Sequence, residues 1–201
     1  MRHYALFDDA VWSPAPHNYS GGNPSFSSKE IRLVILQPSC QWSSLIQCNI
    51  YTTSLEGNPP PTYDVLSYAW HGTSRTKQLQ LNGEIVQPTE SLESALRHLR
   101  RHEESRVLWI DEMCVNQADA AERNYAVRSM RSIFQQAQNV IAWLGDESDG
   151  SEEVFEHVAE LSRFVQSERD TDKPFDSLLR RDYWTRIWIL QEIVLAKDAM
   201  L

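Results

Sequence analysis

Apolar residues along this chain keep two different rhythms. Short runs rich in Val, Leu, Ile, Ala and aromatic residues occur at Tyr63-Asp-Val-Leu-Ser-Tyr-Ala-Trp70, Val107-Leu-Trp-Ile110 and Val140-Ile-Ala-Trp-Leu144. They lack polar alternation and are too short for helices, which predicts strands covered on both faces. Between them the spacing turns helical. Leu92, Ala95, Leu96 and Leu99 recur behind candidate caps Thr89 and Ser91. Asp119, with Glu122 three residues later, resembles a capping pair that opens a helix whose Val127, Met130, Phe134 and Ala137 form one stripe. Val154, Phe155, Val158, Leu161 and Val165 mark a third helix, and residues Trp184 to Ala196 a fourth. Strand alternating with helix predicts an α/β domain, a parallel sheet flanked by helices, with the three runs as neighbouring inner strands.

Two β-like stretches precede this pattern, Glu30 to Leu36 and Leu45 to Tyr51, and Asn58-Pro-Pro-Pro61 ends them. They are expected to add an antiparallel, hairpin-like extension at one edge. Residues 1–28 carry Pro14, Pro16, Gly21, Gly22 and Pro24 without a sustained period and read as an irregular leader. That leaves 29–201 as one domain. Its last residues, Ala199-Met-Leu201, look like the start of another strand, so the chain reads as the N-terminal part of a longer protein.

Composition narrows the function classes. With 201 residues, 41% apolar and 23% charged, the chain suits one soluble globular core. A net charge of −9 argues against a nucleic-acid partner, and the basic Arg97-His-Leu-Arg-Arg-His102 reads as a solvated helix face. No apolar run approaches a membrane span, and the acidic N-terminus does not resemble a signal peptide. Cys40, Cys48 and Cys114 are odd in number and form no CxxC pair, so neither a disulfide framework nor a metal site is expected. The expected location is cytoplasmic.

Candidate chemistry lies where the predicted strands end, at Ser67-Tyr-Ala-Trp-His71, Asp111-Glu-Met-Cys-Val-Asn-Gln117 and Gly145-Asp146. In doubly wound sheets ligands sit beyond the carboxyl ends of the strands, and this mixture of hydroxyl, amide, carboxylate and aromatic groups suits a small-molecule pocket. The fourth helix adds an anomaly. At about 100° per residue its apolar residues occupy nearly every side of the wheel, as in a buried helix. Glu192 falls between Trp188 and Ala196, one turn away on either side. A carboxylate so placed is normally paired, protonated or functional. Other motifs fall short. GxGxxG and the Walker pattern are missing, Ser67, His71 and Asp111 lack a nucleophile elbow, and His98 and His102 lack the Glu of HExxH.

Taken in order, Tyr63 to Trp70, Leu108-Trp-Ile-Asp-Glu-Met-Cys-Val-Asn-Gln117, Glu122-Arg123, Met130, Ala142-Trp-Leu-Gly145 and Tyr183-Trp-Thr-Arg-Ile-Trp-Ile-Leu-Gln-Glu192 resemble the heterokaryon-incompatibility (HET) domain of filamentous fungi, over about residues 29–197. Two positions depart from that pattern. His71 displaces the usual Gly to position 72, and Tyr125-Ala126 stand where a Gln is common. The HET family is itself similar to Toll/interleukin-receptor (TIR) domains, which form flavodoxin-like sheets, assemble on activation and in some cases cleave NAD with a helix-borne glutamate.

The resemblance therefore implies a flavodoxin-like, TIR-like fold and a part in regulated cell death during non-self recognition. It implies NAD as substrate, with no resident cofactor, and Glu192 as the catalytic group that stabilises a ribosyl cation. Trp188, Trp70 or Tyr68 would offer an aromatic face to nicotinamide. Asp111, Asn116 and Gln117 would hold ribose or phosphate-proximal groups, and Ser67 would complete the substrate-binding set. The alternative is a non-catalytic self-assembly module that relays a signal to C-terminal domains, with Glu192 structural and bonded to backbone or to Arg186. Both readings expect self-association, and neither expects a nucleic-acid or membrane partner.

Overall fold

The computed structural model describes residues 29–70, 75–146, 181–186, 195, 197 and 199–200. Eight strands form one mixed sheet: β1 (Glu30–Leu36), β2 (Ile46–Ser54), β3 (Asp64–Tyr68), β4 (Leu79–Leu81), β5 (Glu84–Val86), β6 (Arg106–Trp109), β7 (Val140–Trp143) and β8 (Ala199–Met200). Their order across the sheet is β5-β4-β2-β1-β6-β3-β7-β8. The three expected inner strands are neighbours, with β3 parallel to β6 on one side and to β7 on the other. β8 continues the parallel set beside β7, where a further strand was expected.

Numbered by chain order, the four parallel strands stand 2-1-3-4, which is the flavodoxin-like winding. The chain steps from β3 to β6 on one side and then to β7 on the other. The switch point, where such sheets hold ligands, therefore lies between β3 and β7 at their carboxyl ends.

The N-terminal pair is antiparallel as expected, from Glu30 opposite Ser54 to Leu36 opposite Cys48. It is not the edge. β1 sits inside, antiparallel to β6, and the β4–β5 hairpin extends the sheet beyond β2. Asn82 and Gly83 both have positive φ (50° and 89°), as a two-residue hairpin turn of the right twist requires. The hairpin is specified by its turn, because three-residue strands carry no readable period.

Helices cover both faces. α1 (Glu90–Leu99) starts at Thr89, whose side chain accepts from Leu92 N, while Ser91 lies inside the first turn. α2 (Asp111–Cys114) is a single turn, and α3 (Ala120–Gln136) starts at Asp119, which accepts from Ala121 N and Glu122 N. Val65 pairs with Trp109 and Tyr68 with Trp143. Positions 65 and 68 point to opposite faces. Phe134 of α3 meets Trp109 at 6.1 Å and His98 of α1 meets Trp143 at 4.9 Å, so α1 and α3 cover opposite faces.

Two helix expectations need correction. Glu122 does not complete a capping box; its carboxylate turns away to Arg32 and Asn116 N. Trp184 does not open the fourth helix, because it sits in a 3-10 turn (Asp182–Thr185) that closes at Arg186 with extended backbone. The α3 stripe is buried at Phe134 and Ala137 but only half-buried at Val127 and Met130, with Ile133 taking the deeper place. The expected helix over Val154 to Val165 lies outside the described residues. Among those described, no helix is long and apolar enough to cross a membrane, and no cluster of His, Cys, Asp and Glu could hold a metal ion.

Candidate functional site

Because β6, β3 and β7 are parallel, their carboxyl ends share one side of the domain. Ser67, near the end of β3, is 2% exposed. Its Oγ lies 2.9 Å from Tyr183 Oη and accepts from Arg186 Nη1 at 3.1 Å. The same guanidinium lies 5.8 Å from the centre of the Tyr183 ring. The 3-10 turn is thus docked onto the end of β3 by a hydroxyl pair and a cation. At the end of β7, Gly145 adopts φ +103°, and Arg181 donates to the Leu144 carbonyl at 3.0 Å.

Tyr68 is buried, and its Oη donates to Glu112 Oε2 at 2.6 Å. Burial, followed by the negative charges of Glu112 and Asp111, pushes its phenol well above the usual tyrosine value, with Arg186 acting in the opposite sense. Trp70 differs. It is 40% exposed, and its indole Nε1 donates to Asp111 Oδ1 at 3.2 Å. That oxygen also accepts from Glu112 N at 2.8 Å.

Gln117 is buried and ties back to the same turn, donating from Nε2 to the Asp111 carbonyl at 3.0 Å. Asn116 serves the next turn: its Oδ1 accepts from Ala118 N at 3.1 Å and its own N–H donates to Glu122 Oε1 at 2.7 Å. Ser67, Tyr68, Trp70, Asp111 and Gln117 therefore gather at the carboxyl ends of β3 and β6, with Asn116 on their margin. Glu192, Trp188 and His71 lie outside the described residues.

Several polar groups here carried no sequence signal that was read. Glu112, at 1% exposure, accepts from Tyr68, from both the N–H and the hydroxyl of Thr89, and from Arg75. Tyr183 and Arg186, by contrast, belong to the quoted family motif, and they bind Ser67 from the 3-10 turn. The missed sign was a carboxylate beside buried Ile110 and Met113, the same anomaly that singles out Glu192.

Further along, Arg32 and Glu122 form a buried ion pair at 2.5 Å, and Arg32 also donates to the Cys114 carbonyl at 3.2 Å. Beside them a cavity of about 20 Å³ between β1 and α3 has room for a single water, not a substrate. Tyr125, one of the departures from the HET pattern, lines that cavity and donates to the Glu30 carbonyl at 3.3 Å, joining α3 to β1. Burial pushes the Cys48 and Cys114 thiols up to about 12, which makes both poor nucleophiles at neutral pH.

The model of the heterokaryon incompatibility protein (HET) family matches residues 63–192. The chain belongs to the HET family. The HET segment starts one residue before β3 and contains the carboxyl ends of β3, β6 and β7 together with the 3-10 turn. The chain is also similar to heterokaryon incompatibility protein 6, OR allele, of Neurospora crassa, being 37% identical over an alignment of 168 residues that covers 77% of this chain and 24% of that protein. It thus spans about a quarter of the length of this curated relative. No solved structure matches it.

Proposed function

We propose that this HET domain acts in the cytoplasm in fungal non-self recognition by hydrolysing the C–N glycosidic bond of NAD, with Glu192 stabilising the ribosyl cation. The observation that carries the reading is the switch point of the sheet. Trp70, exposed and anchored by Asp111, stands just past the end of β3, the strand that borders it, beside polar groups from the ends of β3 and β6. A planar pyridinium ring fits an exposed indole face with a carboxylate beside it.

Nicotinamide leaves with the electron pair of the breaking bond and becomes neutral, so a general acid has little to add. Water bonds to the ribose C1′ and gives its proton to solvent, leaving ADP-ribose. The barrier falls mainly when an anion faces the developing cation, as in glycoside hydrolysis. Support for Glu192 in that role comes from its place on an apolar helix wheel and from the TIR resemblance. It follows Arg186 by six residues, and Arg186 is bound to Ser67 at the end of β3. Asp111 would contact ribose from the opposite strand end.

The test is to incubate purified protein with NAD across a dilution series and assay free nicotinamide. Release that rises per molecule with self-association, and that Glu192→Gln removes without altering the melting temperature, is expected. A protein that assembles but never releases nicotinamide would instead be a relay module for domains beyond this chain.

A further inference from the structure

We propose that Glu112 is the positioning residue of the candidate site, a single buried carboxylate that fixes Trp70 from both sides and joins it to the start of α1. Tyr68, two residues before Trp70, donates to Oε2 at 2.6 Å, and Arg75, five residues after it, donates to Oε1 at 3.2 Å. Thr89 adds its hydroxyl to Oε2 at 2.8 Å and its N–H to Oε1 at 3.1 Å. With its hydrogen committed to Glu112, the Thr89 hydroxyl has a lone pair left for Leu92 N, which is the cap of α1. Backbone continuity adds the last link, since Glu112 N donates to the Asp111 oxygen that also receives the Trp70 indole.

Four donors meet four acceptor positions, so Glu112 has no capacity left for a substrate or a proton in flight. That excludes a direct part in bond making and leaves a geometric one. The three groups it collects come from the end of β3, the connection that follows, and the N-terminus of α1. Arg75 also donates to the Gln87 carbonyl at 2.9 Å, two residues before Thr89, so those two groups are tied directly, and Glu112 is what joins Tyr68 to them. A fully satisfied network of this kind fixes one arrangement, whereas a partly satisfied one is costly and loose. Its consequence for catalysis rests on the NAD reading; its consequence for Trp70 does not.

The test labels the whole chain with fluorotryptophan and follows the Trp70 signal, assigned with Trp70→Phe, by fluorine NMR. Glu112→Gln keeps the shape but turns an NH₂ toward two of the four donors. The Trp70 signal should shift or broaden while those of Trp109 and Trp143 stay. Asp64→Asn, a perturbation at the far end of β3, should leave Trp70 unchanged. An unmoved Trp70 signal in Glu112→Gln overturns the proposal, as does an equal disturbance of all the tryptophans. Should Glu112→Gln fail to fold, Tyr68→Phe removes one donor only, and the same signal decides.

Turnover adds a second measure. Glu112→Gln should lower kcat/KM for NAD about 100-fold, the scale for a site displaced by an ångström. Most of that loss should vanish in a Trp70→Ala background, because the two residues act as one. A Trp70 signal that moves in a protein with no NAD cleavage ends the hydrolase reading and leaves the positioning role standing. An unmoved signal in a fully active Glu112→Gln protein does the reverse.

Discussion

The two ends of β3 solve the same problem in different ways. At the amino end, Asp64 accepts from Arg106 Nε at 2.9 Å and from Asn139 Nδ2 at 2.7 Å. These groups belong to β3, to β6 and to the residue before β7, so the inner strands clasp one another directly. At the carboxyl end Ser67 meets Tyr183 and Arg186, Tyr68 meets Glu112 and Trp70 meets Asp111, while Glu112 in turn holds Arg75 and Thr89; nearly all of these lie in connections and helix starts. One end is closed by the strands themselves; the other is assembled from the pieces between them. Changes at the first should damage the fold, and changes at the second should damage a site while sparing the sheet.

The largest effect is expected at the closed end. Asp64→Ala strands a largely buried Arg106 and should cost about 3–5 kcal/mol, the range for breaking a buried pair from one side. Urea unfolding measures it, and a variant as stable as wild type would show that the clasp is ornamental. The fraction that stays folded should still cleave NAD normally. For the proposed chemistry the pattern should invert. Glu192→Gln should lose about 100-fold in NAD cleavage, the scale for one preorganised charge, with an unchanged or higher melting temperature. Wild-type turnover in a normally melting variant would remove Glu192 from the chemistry.

Much of the closed half was legible in the chain, because buried strands announce themselves as apolar runs. β3, β6 and β7 show in the sequence as such runs, and their alternation with helical spacing makes them neighbours. The β4–β5 hairpin was not, although Asn82-Gly83 is a strong turn signal, since Leu79–Leu81 and Glu84–Val86 are too short to show a period. The open half was legible only at the strand ends. Ser67, Tyr68, Trp70, Asp111 and Gln117 could be located because strands end where apolar runs stop. The partners of Glu112 lie 23 to 44 positions away, and those of Ser67 116 and 119 positions away. Spacing within one element cannot reveal such pairs. Glu122 misled for a related reason: it met the local rule for a cap, whereas Arg32, buried among the apolar residues of β1, decided its partner.

Alkali should weaken both halves. Tyr68 and Tyr63 are raised by burial, and Cys48 and Cys114 stand at about 12 against 9.0 for a free thiol. A raised acid binds more protons in the folded state, so its contribution is complete below the unfolded value and lost as pH climbs toward the folded one. Stability should therefore be flat to about pH 9, fall through the thiol window to about 12, and fall more steeply once tyrosines ionise above about 10. Urea midpoints between pH 8 and pH 11, taken with Cys48→Ala, check the sign: the variant should start lower and decline less. A midpoint that rises with pH contradicts it.

The smallest effect separates the two helix caps. Asp119, half-buried, caps α3 through Ala121 N at 2.8 Å and Glu122 N at 3.2 Å. Asp119→Ala should cost about 1 kcal/mol, as for an ordinary N-cap. Thr89 caps α1 through Leu92 N at 3.3 Å, a longer and weaker bond, yet its hydroxyl also serves buried Glu112. Thr89→Val keeps the side-chain shape and removes both bonds at once. It should cost about 2 kcal/mol, because it takes away a cap and leaves a buried carboxylate one donor short. Thr89→Ser, which keeps the hydroxyl, should recover most of that. If capping were the whole role of Thr89, its longer bond would make Thr89→Val the cheaper substitution. The order of the two urea midpoints therefore decides whether the start of α1 belongs to the open end of the sheet or is merely adjacent to it.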